Sequence, residues 1–116
     1  MEQVSSIEVR ETAQGAVCPH FHRAIELIGK RWTGAIVCAL IERPMRYAEL
    51  GKAVPGLSDR LLSQRLRELE EEGLVERQVE AGSPVRVTYS LTEAGQELDP
   101  VLSELKSWAR RWKKAG

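Results

Sequence analysis

The sequence predicts a mainly α-helical chain that contains one small antiparallel β-hairpin. In several segments, apolar residues recur at spacings of three and four, as they do along one face of a helix. Between residues 85 and 91, apolar and polar residues alternate, and the turn-forming residues Gly82, Ser83 and Pro84 come just before them, which is typical of a hairpin. A length of 116 residues suits a single folding domain.

The composition is that of an ordinary soluble chain and favours no partner strongly. Apolar residues make up 42% of the chain, and 17 basic residues balance 17 acidic ones. DNA-binding domains are more often basic, although residues 18–54 carry more basic than acidic side chains. The sequence has no apolar run long enough to span a membrane and no signal peptide at its start, so we expect a cytoplasmic protein.

Two helices are predicted at the start of the folded region. Pro19 suits the first position of a helix, and Gly29 ends it. A second helix is expected at about residues 32–41, before Pro44. Its residues are apolar nearly all round, which predicts a buried central helix.

A third and a fourth helix follow, joined by a short turn. The third is expected at about residues 47–54, and Pro55 and Gly56 then break the chain. The hydroxyl of Ser58 can cap the fourth helix, which we expect to end at Gly73. Two helices connected in this way predict a helix-turn-helix.

The fourth helix has an apolar face and a polar face that suits DNA. At about 100° per residue, Leu62, Leu66 and Leu69 share one narrow sector and must face the core. The other side carries side chains of the kinds that read base edges in a major groove. These candidate DNA-binding residues are Ser58, Arg60, Ser63, Gln64 and Arg67. For this helix alone, an ordinary solvated face is an equally good explanation.

The hairpin that follows this helix predicts a winged helix-turn-helix. Arg86 comes just after the tip of the hairpin, where its guanidinium can enter the minor groove of DNA. Arg46 and Lys52 flank the third helix and are candidates for phosphate contacts, which set the register on DNA without reading its sequence. Each of these three cations also has a simpler interpretation as ordinary surface charge.

The end of the chain predicts a helix that joins two copies of the protein. Thr92 can cap this helix, and Pro100 should break or kink it near its start. Apolar residues recur along it at spacings of three and four. The candidate dimer-interface residues are Leu98, Leu102, Leu105, Trp108 and Trp112. They would otherwise complete the core of one chain, but the earlier helices already cover most of a small domain, so we expect a homodimer.

A series of short motifs resembles the HxlR family of winged-helix regulators. Each motif alone is weak, but their order and spacing from residue 18 to residue 112 are specific. The motifs are CP (18–19), ELIGKRWT (26–33), RYAEL (46–50), PGLS (55–58), LSQRLREL (62–69), GLV (73–75) and PVRVTYSLTEAG (84–95).

The resemblance implies a dimeric bacterial or archaeal regulator with a MarR-like fold. It implies that residues 58–67 lie in the major groove, that Arg86 is on the wing, and that the terminal helices form the dimer. The expected organisation is a flexible arm or extra helix at residues 1–16, the winged helix-turn-helix at 17–92 and a C-terminal dimerisation helix at 93–116.

The sequence departs from the family pattern in three places. Thr88 stands where an acidic residue is common. The wing tip at residues 80–84 lacks the usual proline-rich sequence, which bears on its contacts with DNA. His20 and His22 occupy positions that are more often apolar or small.

The two cysteines are too few for a disulfide scaffold. Cys18 precedes Pro19 at the positive end of a helix macrodipole, where a thiolate is favoured. In the HxlR family a cysteine at this position serves some members as a redox or electrophile sensor, so Cys18 is either a candidate sensor or a small residue packed near the dimer interface. Cys38 is expected in the core.

A metal site at Cys18, His20 and His22 is disfavoured because their spacing splits the ligands across a helix, and no cofactor is expected.

The leading hypothesis is a sequence-specific transcriptional regulator that binds a pseudo-palindromic operator as a homodimer. Its expected partners are double-stranded DNA, a second copy of the chain and a small-molecule or oxidant effector, with no membrane. The alternative is a winged-helix protein-interaction module that binds no DNA, which the zero net charge keeps open. An enzyme is not expected, because the sequence has no Gly-rich phosphate loop, metal-binding His/Glu pair or Ser-His-Asp set.

Overall fold

A computed structural model of the chain describes residues 18–113. The predicted N-terminal arm or extra helix at residues 1–16 lies outside the described residues. The chain divides into two compact units between Thr33 and Gly34. Between residues 18 and 113, every helix is too short or too polar to cross a lipid bilayer.

The first unit contains helix α1, Pro19–Ile28. Cys18 occupies the N-cap position with extended backbone, and Pro19 takes the first helical position, where its missing N–H costs nothing. The backbone N–H of Gly29 donates to the Ile25 carbonyl at 2.7 Å and ends the helix. The predicted start and end of this helix are therefore confirmed.

Helix α2, Thr33–Glu42, begins one residue later than predicted. Trp32 has a φ of 76°, a left-handed backbone conformation that cannot belong to an α-helix. The side chains of Ile36, Val37 and Leu40 are almost completely buried, as predicted for this helix. Cys38 is only half-buried, which differs from its predicted place in the core, because it lies on the side of the helix away from those three residues.

Strand β1 (Met45–Arg46), helix α3 (Tyr47–Ala53) and helix α4 (Asp59–Glu71) come next. Leucine side chains from both helices pack in the core: Leu50, Leu62, Leu66 and Leu69. Gly73, two residues after the last residue of α4, has a left-handed backbone with a φ of 77° and stops the helix there. The N–H of Leu74 bonds to the Leu69 carbonyl at 2.9 Å and that of Gly73 to the Glu70 carbonyl at 3.0 Å, which is the Schellman arrangement.

The hairpin consists of β2 (Val75–Glu80) and β3 (Arg86–Leu91), and β1 adds a third strand. The strand order is β1-β3-β2, and both pairings are antiparallel. Met45 lies opposite Tyr89. The sequence predicted the hairpin but missed β1, because a strand of two residues is too short to show an alternating pattern.

Two helices end the described chain, α5 (Glu93–Gln96) and α6 (Leu98–Trp112). The hydroxyl of Thr92 accepts from the Gly95 N–H at 3.2 Å, which confirms the predicted cap. The break between the helices falls at Glu97, and Pro100 lies in the first turn of α6. The predicted break thus falls three residues before Pro100, because proline has no N–H to bond to the Gln96 carbonyl and is tolerated in the first turn of a helix. The predicted fold class, mainly α with a small antiparallel β-hairpin, is confirmed, and β1 adds a third strand to the hairpin.

Candidate nucleic-acid interface

Helix α4 has one side in the core and one side in solvent. Its leucines, named above, are at most 1% exposed. Arg60, Gln64 and Arg67 are exposed on the opposite side. Because the leucines hold the helix rigidly, this polar side presents its side chains at defined spacings, as binding along a groove requires.

Ser58 lies at the N-terminus of α4 and is exposed. Its hydroxyl oxygen accepts a hydrogen bond from the Leu61 N–H at 3.2 Å, so it caps the helix as predicted. The hydroxyl proton remains available to donate. The end of α4 that carries Ser58 also has the positive end of the helix dipole, which favours an approaching phosphate.

Ser63 differs from the other candidates because it is half-buried and already bonded within the protein. Its Oγ lies 2.9 Å from the hydroxyl oxygen of Tyr47. The same Tyr47 hydroxyl donates to the Asp59 carbonyl at 2.6 Å. Tyr47 therefore joins α3 to the first turns of α4 by two hydrogen bonds.

The side chain of Gln64 has a weak contact within the helix. Its Nε2 donates to a Glu68 carboxylate oxygen at 3.4 Å, which is long for a hydrogen bond. The same carboxylate forms a shorter ion pair of 3.1 Å with Arg65. Because its own contact is long, the side chain of Gln64 can turn outward at small cost.

The start of α3 is organised by a carboxylate. The backbone N–H of Arg46 donates to Glu49 Oε1 at 2.8 Å, and the Arg43 guanidinium lies 3.4 Å from Glu49 Oε2. The hydrogen bond from Arg46, and then the charge of Arg43, hold the pKa of Glu49 below its usual value. The side chains of Arg46 and Lys52 are both exposed, as phosphate contacts require.

The wing extends into solvent. Residues 80–86 are all exposed, and Arg86 is the first residue of β3. In the antiparallel register of the hairpin, the backbone of Arg86 lies opposite that of Glu80. Thr88, where the sequence departs from the HxlR pattern, is half-buried and pairs with both Gln78 and Arg46.

Helix α6 has a large apolar stripe that is only partly covered. Val101, Leu105, Trp108 and Trp112 are 57%, 53%, 45% and 70% exposed. At about 100° per residue, they lie within about 60° of one another around the helix. By contrast, Leu102 is only 5% exposed and Leu98 is half-buried. Of the predicted dimer residues, Leu102 therefore has almost no surface left for a partner.

Cys18 is half-buried at the N-cap of α1, and its thiol is free. His20 and His22 are exposed, and His22 Nε2 lies 3.5 Å from a Glu26 carboxylate oxygen on the next turn. Within the described part of the chain, no three His, Cys, Asp or Glu side chains are grouped so that they could hold a metal ion.

Comparison with known proteins places this architecture in a family. Residues 27–116 match the model of the HxlR-like helix-turn-helix family. The chain belongs to the HxlR family of helix-turn-helix transcriptional regulators. This assignment agrees with the predicted regulatory role and leaves no role for catalysis, since the family is not enzymatic.

Similar transcriptional regulators are known in sequence and in structure. The transcriptional regulator YvaP of Bacillus subtilis is 46% identical over 99 residues, which cover 85% of this chain and 92% of YvaP. The reduced form of YodB from B. subtilis is 41% identical with a TM-score of 0.78 and covers 86% of this chain and 98% of YodB. The oxidised form of the redox regulator HypR is 34% identical with a TM-score of 0.77, over 84% of this chain and 100% of HypR.

The structure of this HxlR regulator adds one residue to the interface that the sequence analysis missed. Tyr47 is not among the candidate DNA-binding residues named from the sequence, yet its hydroxyl bonds to α4. The available signal was chemical, because a tyrosine at an otherwise apolar helix position brings a hydroxyl that needs a partner. Its partners, Asp59 and Ser63, could not be read from the sequence because they lie in the next helix.

Proposed function

We propose that this HxlR regulator binds a defined sequence of double-stranded DNA as a homodimer, with α4 as the recognition helix. The main support is the polar side of α4, where Arg60, Gln64 and Arg67 are exposed opposite a fully buried row of leucines. Arginine can form two hydrogen bonds to guanine, and glutamine can form two to adenine.

Two further groups of cations would hold the helix on DNA. Arg46 and Lys52 are exposed near the two ends of α3 and would contact phosphates. Arg86 on the wing would reach the narrow, negatively charged minor groove. Together they provide the local positive charge that DNA requires, although the whole chain is neutral.

The exposed stripe on α6 supports the homodimer. A row of four large apolar side chains is more than a single soluble chain usually exposes along one helix. A two-fold axis would place this stripe against its own copy. The dimer would then present two recognition helices about 34 Å apart, or a multiple of that, on a pseudo-palindromic site.

Selection of bound duplexes from a random pool tests this proposal. We expect an enriched pseudo-palindrome whose half-sites are separated by whole turns of DNA, and an affinity that falls steeply as salt rises. Light scattering on the same sample should give the mass of two chains. A protein that selects no sequence and binds no duplex at low salt would instead be an interaction module.

We also propose that an oxidant or electrophile regulates the protein through Cys18. The support is the position of Cys18 at the N-terminus of α1 and the likeness of the chain to HypR, which is described as a redox regulator. The similar transcriptional regulator YodB has been solved in reduced, diamide-treated and quinone-bound forms.

The two cysteines of this chain make a matched test. Cys18→Ser should abolish any change of DNA affinity on treatment with diamide or a quinone, while reduced-state affinity stays the same. Cys38→Ser, at the half-buried cysteine of α2, should keep the response. If diamide leaves the affinity of the unmodified protein unchanged, the sensor role of Cys18 must be abandoned.

A further inference from the structure

The contact between Tyr47 and Ser63 bears on which base the protein reads. A phenol has one proton and can donate only once. The Tyr47 proton is committed to the Asp59 carbonyl, at the short distance of 2.6 Å. The hydrogen bond of 2.9 Å between Tyr47 and Ser63 must therefore use the proton of Ser63.

This assignment settles what Ser63 can offer to a ligand. Its hydroxyl has one proton and two lone pairs. With the proton directed at Tyr47, only the lone pairs remain for a group outside the protein. A serine on a recognition helix can normally bond to either donors or acceptors on a base, but here the acceptor role is the one left.

Ser63 also lies at a position on α4 where its role as donor or acceptor affects which base it can bind. At about 100° per residue, it is on the flank of α4, between the leucine face and the side that carries Arg60 and Gln64. It is half-buried, so part of its surface is still accessible to a ligand that approaches the polar side.

We propose that Tyr47 is a positioning residue for base recognition: by taking the Ser63 proton, it makes Ser63 an acceptor that selects an amino group on the DNA. In the major groove, adenine and cytosine present amino groups, whereas guanine and thymine present only acceptors at their exposed oxygens. This inference rests on the proposed function, because it assumes that α4 lies in the major groove.

The test compares four proteins by selection from a random duplex pool. Ser63→Ala removes the acceptor and so identifies the base that Ser63 faces. At that base, the unmodified protein should enrich adenine and cytosine over guanine and thymine by about fivefold, the discrimination expected of one hydrogen bond. Tyr47→Phe frees the Ser63 proton and should bring this ratio close to one, with the other positions of the site unchanged.

Tyr89→Phe is the matched control. Tyr89 is the second of the two tyrosines in the chain, lies in β3 and is also half-buried. Its loss of a hydroxyl should leave every base preference unchanged. Thermal unfolding of each variant confirms that the selections compare folded proteins. If Tyr47→Phe does not fold, Ser63→Ala still identifies the base that Ser63 faces, because it leaves the bond between Tyr47 and Asp59 intact. The preference of the unmodified protein at that base then shows whether Ser63 acts as an acceptor.

Several results would overturn the inference while the proposed function stands. One is a preference for guanine or thymine at the base lost in Ser63→Ala. Another is an unchanged ratio in Tyr47→Phe, which would mean that the Ser63 proton is held elsewhere. A third is equal relaxation at every position in Tyr47→Phe, which is the sign of a general loosening of α4. If Ser63→Ala alters no position, Ser63 reads no base. A protein that selects no sequence at all refutes both proposals.

Discussion

Gly95→Ala is expected to destabilise the protein, because the base of the wing leaves no space for a methyl group. A Cβ at Gly95 would meet the Leu74 carbonyl oxygen closer than any real contact and would lie 3.0 and 3.1 Å from two side-chain carbons of Leu91. The Leu74 carbonyl cannot move away freely, since it accepts a hydrogen bond of 3.0 Å from the Thr92 N–H.

The expected cost is about 1–3 kcal/mol in the free energy of unfolding, the usual range for overpacking in a core. For a chain of this size, that is a fall in Tm of about 4 °C for each kcal/mol. Urea unfolding followed by circular dichroism measures it. All samples need the same chain concentration, because the stability of the proposed dimer would depend on it.

Gly51→Ala is the control. Gly51 lies in α3, and a Cβ there would meet nothing within 4 Å. Alanine is favoured over glycine within a helix by about 0.5–1 kcal/mol, so this variant should be unchanged or slightly more stable. If Gly95→Ala is as stable as the unmodified protein, the packing between the wing and α5 is looser than the structure indicates, and the argument from close contact fails.

Three further outcomes are expected. Gln64→Ala and Arg60→Ala should relax sequence preference, whereas Lys52→Ala should weaken binding to all duplexes alike and reduce its salt dependence; equal, sequence-independent losses would contradict these roles. Leu105→Glu should convert the proposed dimer to a folded monomer in light scattering, because it places charge on the exposed stripe of α6. A charged variant that stays dimeric would place the interface elsewhere. The pKa of Glu49 is lowered in the folded protein, so its ionised form stabilises the fold above the unfolded pKa, near 4.5, and this contribution is lost as pH falls through the folded value. The difference in stability between the unmodified protein and Glu49→Gln should therefore shrink in acid. A difference that grows in acid would reverse the assigned sign.

Most helix ends could be predicted because they depend on neighbouring residues. Ser58 and Thr92 accept hydrogen bonds from N–H groups three residues later, and Gly73 supplies a left-handed backbone next to the helix it ends. Interactions of this range leave a pattern in the sequence itself. Strand β1 could not be predicted, because it exists only through pairing with β3, more than forty residues further along.

The candidate recognition surface was only partly predictable. The period of the helix separated the buried leucines from the polar residues, and the structure agrees on this point. It did not distinguish Ser63 from Arg60, because both fall outside the leucine sector. The difference between them arises from Tyr47, whose hydroxyl reaches α4 across the turn.

In α6, and in the protein as a whole, local patterns likewise predict some features, whereas tertiary packing decides the others. The order of residues was enough to specify the elements, their caps and the existence of an apolar stripe, since these follow from local geometry and periodicity. Which apolar residues of α6 are buried within one chain, such as Leu102, and which stay exposed, such as Leu105 and Trp112, emerged from the folded chain alone. Burial depends on segments that are distant in sequence and come together only on folding, and no local pattern records that packing.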